Sequence, residues 1–449
     1  MRPLQGTMKV GSEGHLWVGG CDTTQLAQKY GTPLFVYDEA YLRERIREFH
    51  AAFKATGVSY EVAYAAKAFC TIAMCQLADQ EGCALDVVSG GELYTALQAG
   101  VDPGRIHMHG NNKTRAELEY AVSSGVSVIV VDNFAEFALL NDVATTFRRQ
   151  VDVLLRIAPG VEAHTHEYIS TGQQDSKFGF DLESGQARRA LEVVGDYDAL
   201  RCRGLHSHIG SQIFDSQGFE AAISRLAELY AYGTSLGLVF DVLNVGGGFG
   251  IRYTEEDDPA PIASSIQGIV HKVKDSFAAL SLEMPSIWIE PGRSVVGPAA
   301  VTLYTAGSQK AIPGVRNYVS IDGGMTDNPR LALYGAKYEA MLANRASDEA
   351  AEAWSIAGKC CESGDMVIWD APLPRPQMGD VVAVFDTGAY NYSMASNYNR
   401  IPRPAVVFVR DGRSGIVVER ETYEDVVRLD RPLSYDEENA AASSAMTAR

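Results

Sequence analysis

Between residues 59 and 293 short apolar runs alternate with longer segments of helical pattern, and this alternation constrains the fold more than any other feature of the chain. The runs are SYEVAYAAKA (59–68), CALDVVS (83–89), RIHMHG (105–110), VSVIVVD (126–132), VDVLLRIAPG (151–160), RCRGLHSHIG (201–210), FDVLNVGGGFG (240–250) and SIWIEPGR (286–293). Amphipathic stretches separate most of them. ELYTALQAG follows the Ser-Gly-Gly at 89–91 and ends on Gly100, a helix stop. GFEAAISRLAELYAYGTSLG, at 218–237, repeats apolar residues at intervals of three and four. Strands alternating with helices imply parallel βαβ units, and eight such units suit a (β/α)8 barrel of about 250 residues. The alternative, an open doubly wound sheet, carries its Gly-rich fingerprint after the first strand. Here the first strand ends in Lys67, and GGGFG waits for the seventh. The barrel is the expected fold.

After residue 293 the pattern changes. VVGPAAVTLYTAGSQKA, VRNYVSIDGG, DMVIWDAPL, GDVVAVFDTGAY, PAVVFVRDG and SGIVVERET read as strands broken by Gly, Pro and Asp turns. They predict a mainly β second domain, and TPLFVYDEA near the N-terminus is a further strand able to join it or lead into the barrel. The expected organisation is an N-terminal segment over 1–37 packed with the β domain, a barrel over 38–293, and the β domain over 294–449. The tail from about Ser434, rich in Ala and Ser, is expected to fray.

Composition excludes several functional classes. Acids outnumber Lys and Arg by 57 to 39, a net charge of −18, which disfavours binding to a phosphate backbone. The first twenty residues lack the apolar core of a signal peptide. No apolar run approaches the ~18 residues of a membrane helix. Seven scattered cysteines, an odd number in a long chain, predict reduced thiols rather than a disulfide framework. A soluble cytoplasmic protein, binding neither nucleic acid nor membrane, is the expectation.

In a barrel, chemistry gathers at the C-terminal ends of the strands. The unusual polar residues fall there: Lys67 on the first, Asp86 on the second, His109 on the third, His206 and His208 on the sixth, Gly246–Gly248 on the seventh, Glu290 and Arg293 on the eighth. Each alone is more often structural. Lys67 closing an apolar strand can be a side chain reaching to solvent, or an amine in a partly desolvated site suited to a Schiff base. The triple glycine can be a tight turn, or a bare backbone whose N–H groups face a phosphate. A lysine, a phosphate cradle and an acid on one rim together suggest pyridoxal phosphate, which needs all three.

YAAKA, DVVSGGE, HGNNK, DSKFGF, HSHIGSQ, NVGGGFG, EPGR, DGGMTDN, CESGD and GAYNYSMASNYN follow one another along nearly the whole chain. In that order they resemble the diaminopimelate decarboxylases, among the barrel-fold pyridoxal phosphate decarboxylases that include the ornithine and arginine enzymes. The resemblance implies that Lys67 joins the cofactor and that His208 stacks on its ring. It puts Glu290 at the ring nitrogen and Asp86 near the lysine. Ser211, Gly247, Gly248, Gly292 and Tyr390 would surround the phosphate. It implies that Arg293, Arg330 and Tyr334 bind the distal end of the substrate and that Glu362 takes the distal amine. Cys361 would be the proton donor, with the cysteine segment lent by the neighbouring subunit of a homodimer. Phe69 and Leu331 depart from the common pattern at positions without an assigned chemical role. The implied reaction is decarboxylation of meso-2,6-diaminopimelate to L-lysine.

Three rival readings are weighed against this. An ornithine- or arginine-type decarboxylase would have no distal carboxylate for an arginine pair to hold. A catalytically silent regulator would usually lose the lysine or the cysteine, and both are present. A metal site at His164 and His166, with Glu162 and Glu167 nearby, lacks the second ligand pair that zinc sites usually show. The segment 160–180 reads better as a loop over the rim, and no metal is expected. In GKCCESGD, at 358–365, adjacent thiols form only a strained ring. Cys360 is therefore expected to be a packing residue.

Overall fold

The computed structural model describes residues 3–161 and 176–433. The cluster weighed as metal ligands, at 162–167, and the tail from Ser434 lie outside the described residues. Eight parallel strands close on themselves: β1 Tyr60–Ala65, β2 Ala84–Val87, β3 Ile106–Met108, β4 Val128–Val131, β5 Val151–Ala158, β6 Leu200–His206, β7 Val242–Asn244 and β8 Ser286–Ile289. Closure runs through β8 and β1, where Ile287, Trp288 and Ile289 pair in parallel with Tyr60, Glu61 and Val62. The barrel is filled rather than hollow. Val128, Val130, Leu154, Val242 and Trp288 form an interior cluster, and His107 stacks on Trp288 with ring centres 4.7 Å apart.

A helix follows each of the first seven strands, from Ile72–Gln80 to Ile262–Ala279. Only the four-residue helix Arg293–Val296 follows β8. The outer position is taken instead by the helix Glu39–Thr56, which precedes β1 and packs against Ile262–Ala279. Asp38 starts that helix by accepting the Tyr41 N–H at 3.2 Å. Its other oxygen accepts the N–H and hydroxyl of Thr7 at 2.8 and 2.7 Å, so one carboxylate ties the N-terminal segment to the barrel. A side-chain cap of this kind contributes about 1 kcal/mol.

The second domain is a mainly β layer in which the N-terminal strand Leu34–Asp38 is central. It pairs antiparallel with Ala300–Ile312 and parallel with Ala405–Arg410. The thirteen-residue strand Ala300–Ile312 goes on to pair with Arg316–Ile321, and the sheet extends through Glu352–Ala357 to Met366–Leu373. Leu16, Val18 and Leu26 from the N-terminal segment bury against Leu34, Val301, Leu303 and Phe385. Burying each such side chain contributes about 1.5–3 kcal/mol, which explains why the chain's first residues belong to its last domain. Among the described residues no helix is long and apolar enough to cross a membrane.

Candidate active site

Lys67 sits just past β1, on the 3-10 helix Ala66–Ala68, with its side chain exposed between buried alanines. The strand therefore stops two residues short of the lysine. A narrow cleft joins it to His208, Ser211, Gly248, Glu290, Gly292, Arg293 and Tyr390. These are residues from the ends of β1, β6, β7 and β8 and from the second domain.

The floor of the cleft is bare backbone because nothing larger fits. A Cβ on Gly247 would lie 2.0 Å from the Glu290 carbonyl oxygen, and one on Gly248 would lie 2.3 Å from that of Gly210. On Gly292 it would meet Ala65 and Ala68 at 3.1 Å each. The Gly247 N–H is not directed into the cleft: it donates to His208 Nδ1 at 3.2 Å. With Nδ1 an acceptor, the neutral ring carries its proton on Nε2. Burial, then the charges of Lys67 and Arg156, hold His208 well below its usual range, so the ring presents a neutral face. Tyr390 adopts a positive φ of 64°, a strained backbone that turns its ring toward Arg293.

Glu290 is surrounded. One oxygen accepts Asn244 Nδ2 at 2.7 Å and lies 3.0 Å from His109 Nε2, and the other lies 3.0 Å from His206 Nε2. Burial opposes ionisation, yet His109 and His206 outweigh it and hold the carboxylate well below its usual range. His109 supplies the positive charge. Burial works to lower its pKa, but Asp86, 3.6 Å away, and Glu290 raise it. Burial keeps His206 lowered and so neutral. Asp86 thus faces His109. Burial pushes the neighbouring Glu92 up to about 7, against the Val88 N–H that it accepts and the Lys67 charge.

Buried Arg293 lines the same cleft as Glu290 and shares Tyr253 with a second buried cation, Arg330. Arg293 donates Nε and Nη2 to Ser211 Oγ at 3.0 and 2.9 Å and Nη1 to Tyr253 Oη at 2.7 Å. Arg330 donates to Tyr338 Oη at 2.6 Å, with its guanidinium 4.8 Å from the Tyr253 ring centre. Neither arginine pairs with a carboxylate among the described residues. Burial works to lower the Arg330 pKa, but Tyr253 and Tyr338 reverse it and raise it. Tyr334, at the end of the helix Arg330–Tyr334, is 38% exposed. Gly335 then turns the chain back at φ 62°, which brings Tyr338 to the arginine instead.

Cys361 and Glu362 do not line the cleft. They occupy a turn between the strands Glu352–Ala357 and Met366–Leu373, exposed to solvent. Asp365 builds that turn by accepting the N–H groups of Cys360 and Met325 at 2.7 and 2.6 Å. Burial, then Asp365, pushes the Cys360 thiol up to about 12, which leaves it inert. Sequence reasoning missed Tyr253, Tyr338 and Asn244. Asn244 carried a signal, since a buried amide ends a strand next to the triple glycine. The two tyrosines carried none.

Residues 39–297 match the family model described as the pyridoxal binding domain of pyridoxal-dependent decarboxylases. A diaminopimelate decarboxylase of Halalkalibacterium halodurans is 58% identical over 96% of this chain and 98% of its own length. That of Bacillus subtilis is 57% identical over the same shares. Among solved structures, the diaminopimelate decarboxylase of M. jannaschii in complex with L-lysine superposes with a TM-score of 0.89 at 34% identity, covering 95% of this chain and 98% of that one.

Proposed function

We propose that this chain, which belongs to the diaminopimelate decarboxylases within the pyridoxal-dependent decarboxylase family, converts meso-2,6-diaminopimelate to L-lysine and carbon dioxide at the D centre, the final step of lysine biosynthesis. The observation that carries this reading is the buried arginine pair, Arg293 and Arg330, beside the Lys67 cleft and without a carboxylate partner among the described residues. A substrate with two carboxylates loses one and must be held by the other. Two guanidiniums suit that second carboxylate, since each can bind it through two parallel N–H donors.

The cleft fits the cofactor that the family implies. Pyridoxal phosphate, when bound, supplies a conjugated ring that accepts the electron pair left by the departing carboxylate. Lys67 would hold its aldehyde carbon, His208 would cover one ring face, and Glu290 would lie at the ring nitrogen. Gly248, Gly292, Ser211 and Tyr390 would take the phosphate end, with Gly247 shaping the turn while its own N–H holds His208. Glu290 enters the reaction ionised, because His109 shares its charge from behind, so it can keep a proton on a partner nitrogen. Arg293 and Arg330 anchor the carboxylate that stays. The reacting centre is thereby held at the Lys67 end of the cleft, away from the arginines. A proton delivered to the alpha carbon by Cys361 or Lys67 completes lysine.

The exposure of Cys361 and Glu362 supports a second part of the reading. In our proposal these residues serve the cleft of a neighbouring subunit in a cytoplasmic homodimer, where Glu362 takes the distal ammonium and Tyr334 adds to the arginine pocket. The test of the function is turnover of the purified holoenzyme on diaminopimelate, ornithine, arginine and lysine. Diaminopimelate is expected to give equal amounts of lysine and carbon dioxide and the highest kcat/KM. Preference for any of the other three would overturn the assignment.

A further inference from the structure

Tyr253 has no part in the family motifs quoted above, yet both buried arginines rest on it. It belongs to the barrel, on the loop that follows β7, but its ring is buried in the core of the second domain. There it meets the Tyr338 ring edge-on, with centres 5.4 Å apart. Its loop is braced by Asp257, which accepts the N–H groups of Tyr253 and Thr254 at 3.0 and 2.9 Å. The hydroxyl accepts Arg293 Nη1 at 2.7 Å. The ring face takes the Arg330 guanidinium at 4.8 Å. One side chain thus contacts an arginine from each domain, by two different physical interactions.

Two like charges brought together in a buried site repel, and each keeps its place only through what holds it. Among the described residues no carboxylate supplies that hold. Neutral groups do so instead: Ser211 accepts two bonds from Arg293, Tyr338, steadied by Asn391 at 3.2 Å, holds Arg330 from one side, and Tyr253 contacts both arginines. A carboxylate in this role would neutralise the pair and close it to an incoming anion. A neutral hydroxyl and an aromatic face fix the cations while leaving their charge available.

We infer that Tyr253 is a specificity-determining positioning residue, which spaces Arg293 and Arg330 as a receptor for the substrate carboxylate that is not removed. This rests on the reading that the two arginines hold that carboxylate. The discriminating ligands are L-lysine, which keeps it, and 1,5-diaminopentane, which has the same chain and amines but lacks it. Binding of each to the holoenzyme is followed by calorimetry or by the cofactor's visible absorbance, for wild type, Tyr253→Phe and Tyr253→Leu, with thermal melting to show that each variant is folded. Tyr253→Phe keeps the ring and removes the acceptor for Arg293. It is expected to weaken lysine about tenfold, the scale of a hydrogen bond to a charged group, while 1,5-diaminopentane changes less than about twofold. Tyr253→Leu removes both contacts and is expected to weaken lysine further with the same selectivity. Equal weakening of both ligands, or no change in either, would overturn the role of Tyr253. If wild type binds the two ligands alike, the arginine reading fails and this inference falls with it.

Discussion

Glu290 and the pair Arg293–Arg330 are similarly buried and are handled in opposite ways. The carboxylate is closed: Asn244, His109 and His206 occupy both of its oxygens, and His109 brings a compensating charge from between two acids. The arginines are open: their partners are Ser211, Tyr253 and Tyr338, which accept hydrogen bonds without cancelling charge. Burying an unpaired charge costs several kcal/mol, so a fold tolerates it only where something else contributes. The closed group belongs to permanent machinery. The open pair is set for a ligand that arrives and leaves with each turnover.

The largest expected effect lies at the point both regions face. Lys67→Ala is predicted to abolish the visible band of the lysine-linked cofactor and to lower turnover by at least about 10³-fold. A variant that kept the band would show that the cofactor is held elsewhere. Glu290→Gln removes the closed charge but preserves its shape. Its kcat is predicted to fall by about 10², with KM for diaminopimelate nearly unchanged because the arginines are untouched. A rise in KM of similar size would mean the two regions are not separable.

The next prediction concerns stability rather than turnover, at an acid buried behind the arginine helix. Asp327 bonds to the Tyr304 hydroxyl, and burial raises its pKa from 3.8 to about 7 against the opposing bonds from Tyr304 and the Gly324 N–H. A folded pKa above the unfolded one means that the native state holds the extra proton. Its contribution is fully present below about pH 4 and is lost as pH rises toward 7. Asp327→Asn removes that titration. Urea unfolding between pH 4 and 8 should show wild type losing up to a few kcal/mol relative to the variant, since each tenfold difference in proton affinity between the folded and unfolded chain is worth about 1.4 kcal/mol. Parallel pH curves would refute it.

Much of this was legible in the chain, for a definable reason. Alternating runs locate barrel strands, and barrel strands locate a rim, so Lys67, His208, Glu290 and Arg293 could be named from strand ends alone. The motif order added Arg330 and Tyr390 from the second domain. What stayed hidden depends on docking. Tyr253 lies in a polar turn, IRYTEEDD, with no periodicity to mark it, and becomes significant only where that loop enters the other domain's core. Tyr338 takes the place beside Arg330 because Gly335 reverses the chain, a turn that spacing along a helix does not anticipate. The substitution of Glu39–Thr56 for the missing last outer helix is hidden likewise, since a helix before the first strand carries no mark of where it will pack.

The claim at the centre of the account is that the open arginine pair reads the carboxylate that diaminopimelate keeps. Steady-state turnover of the Arg330→Met holoenzyme on diaminopimelate tests it most directly. KM is predicted to rise at least about tenfold, the scale of a lost charged contact, while kcat stays within about threefold of wild type because the closed carboxylate and Lys67 are intact. An unchanged KM with a collapsed kcat would contradict it.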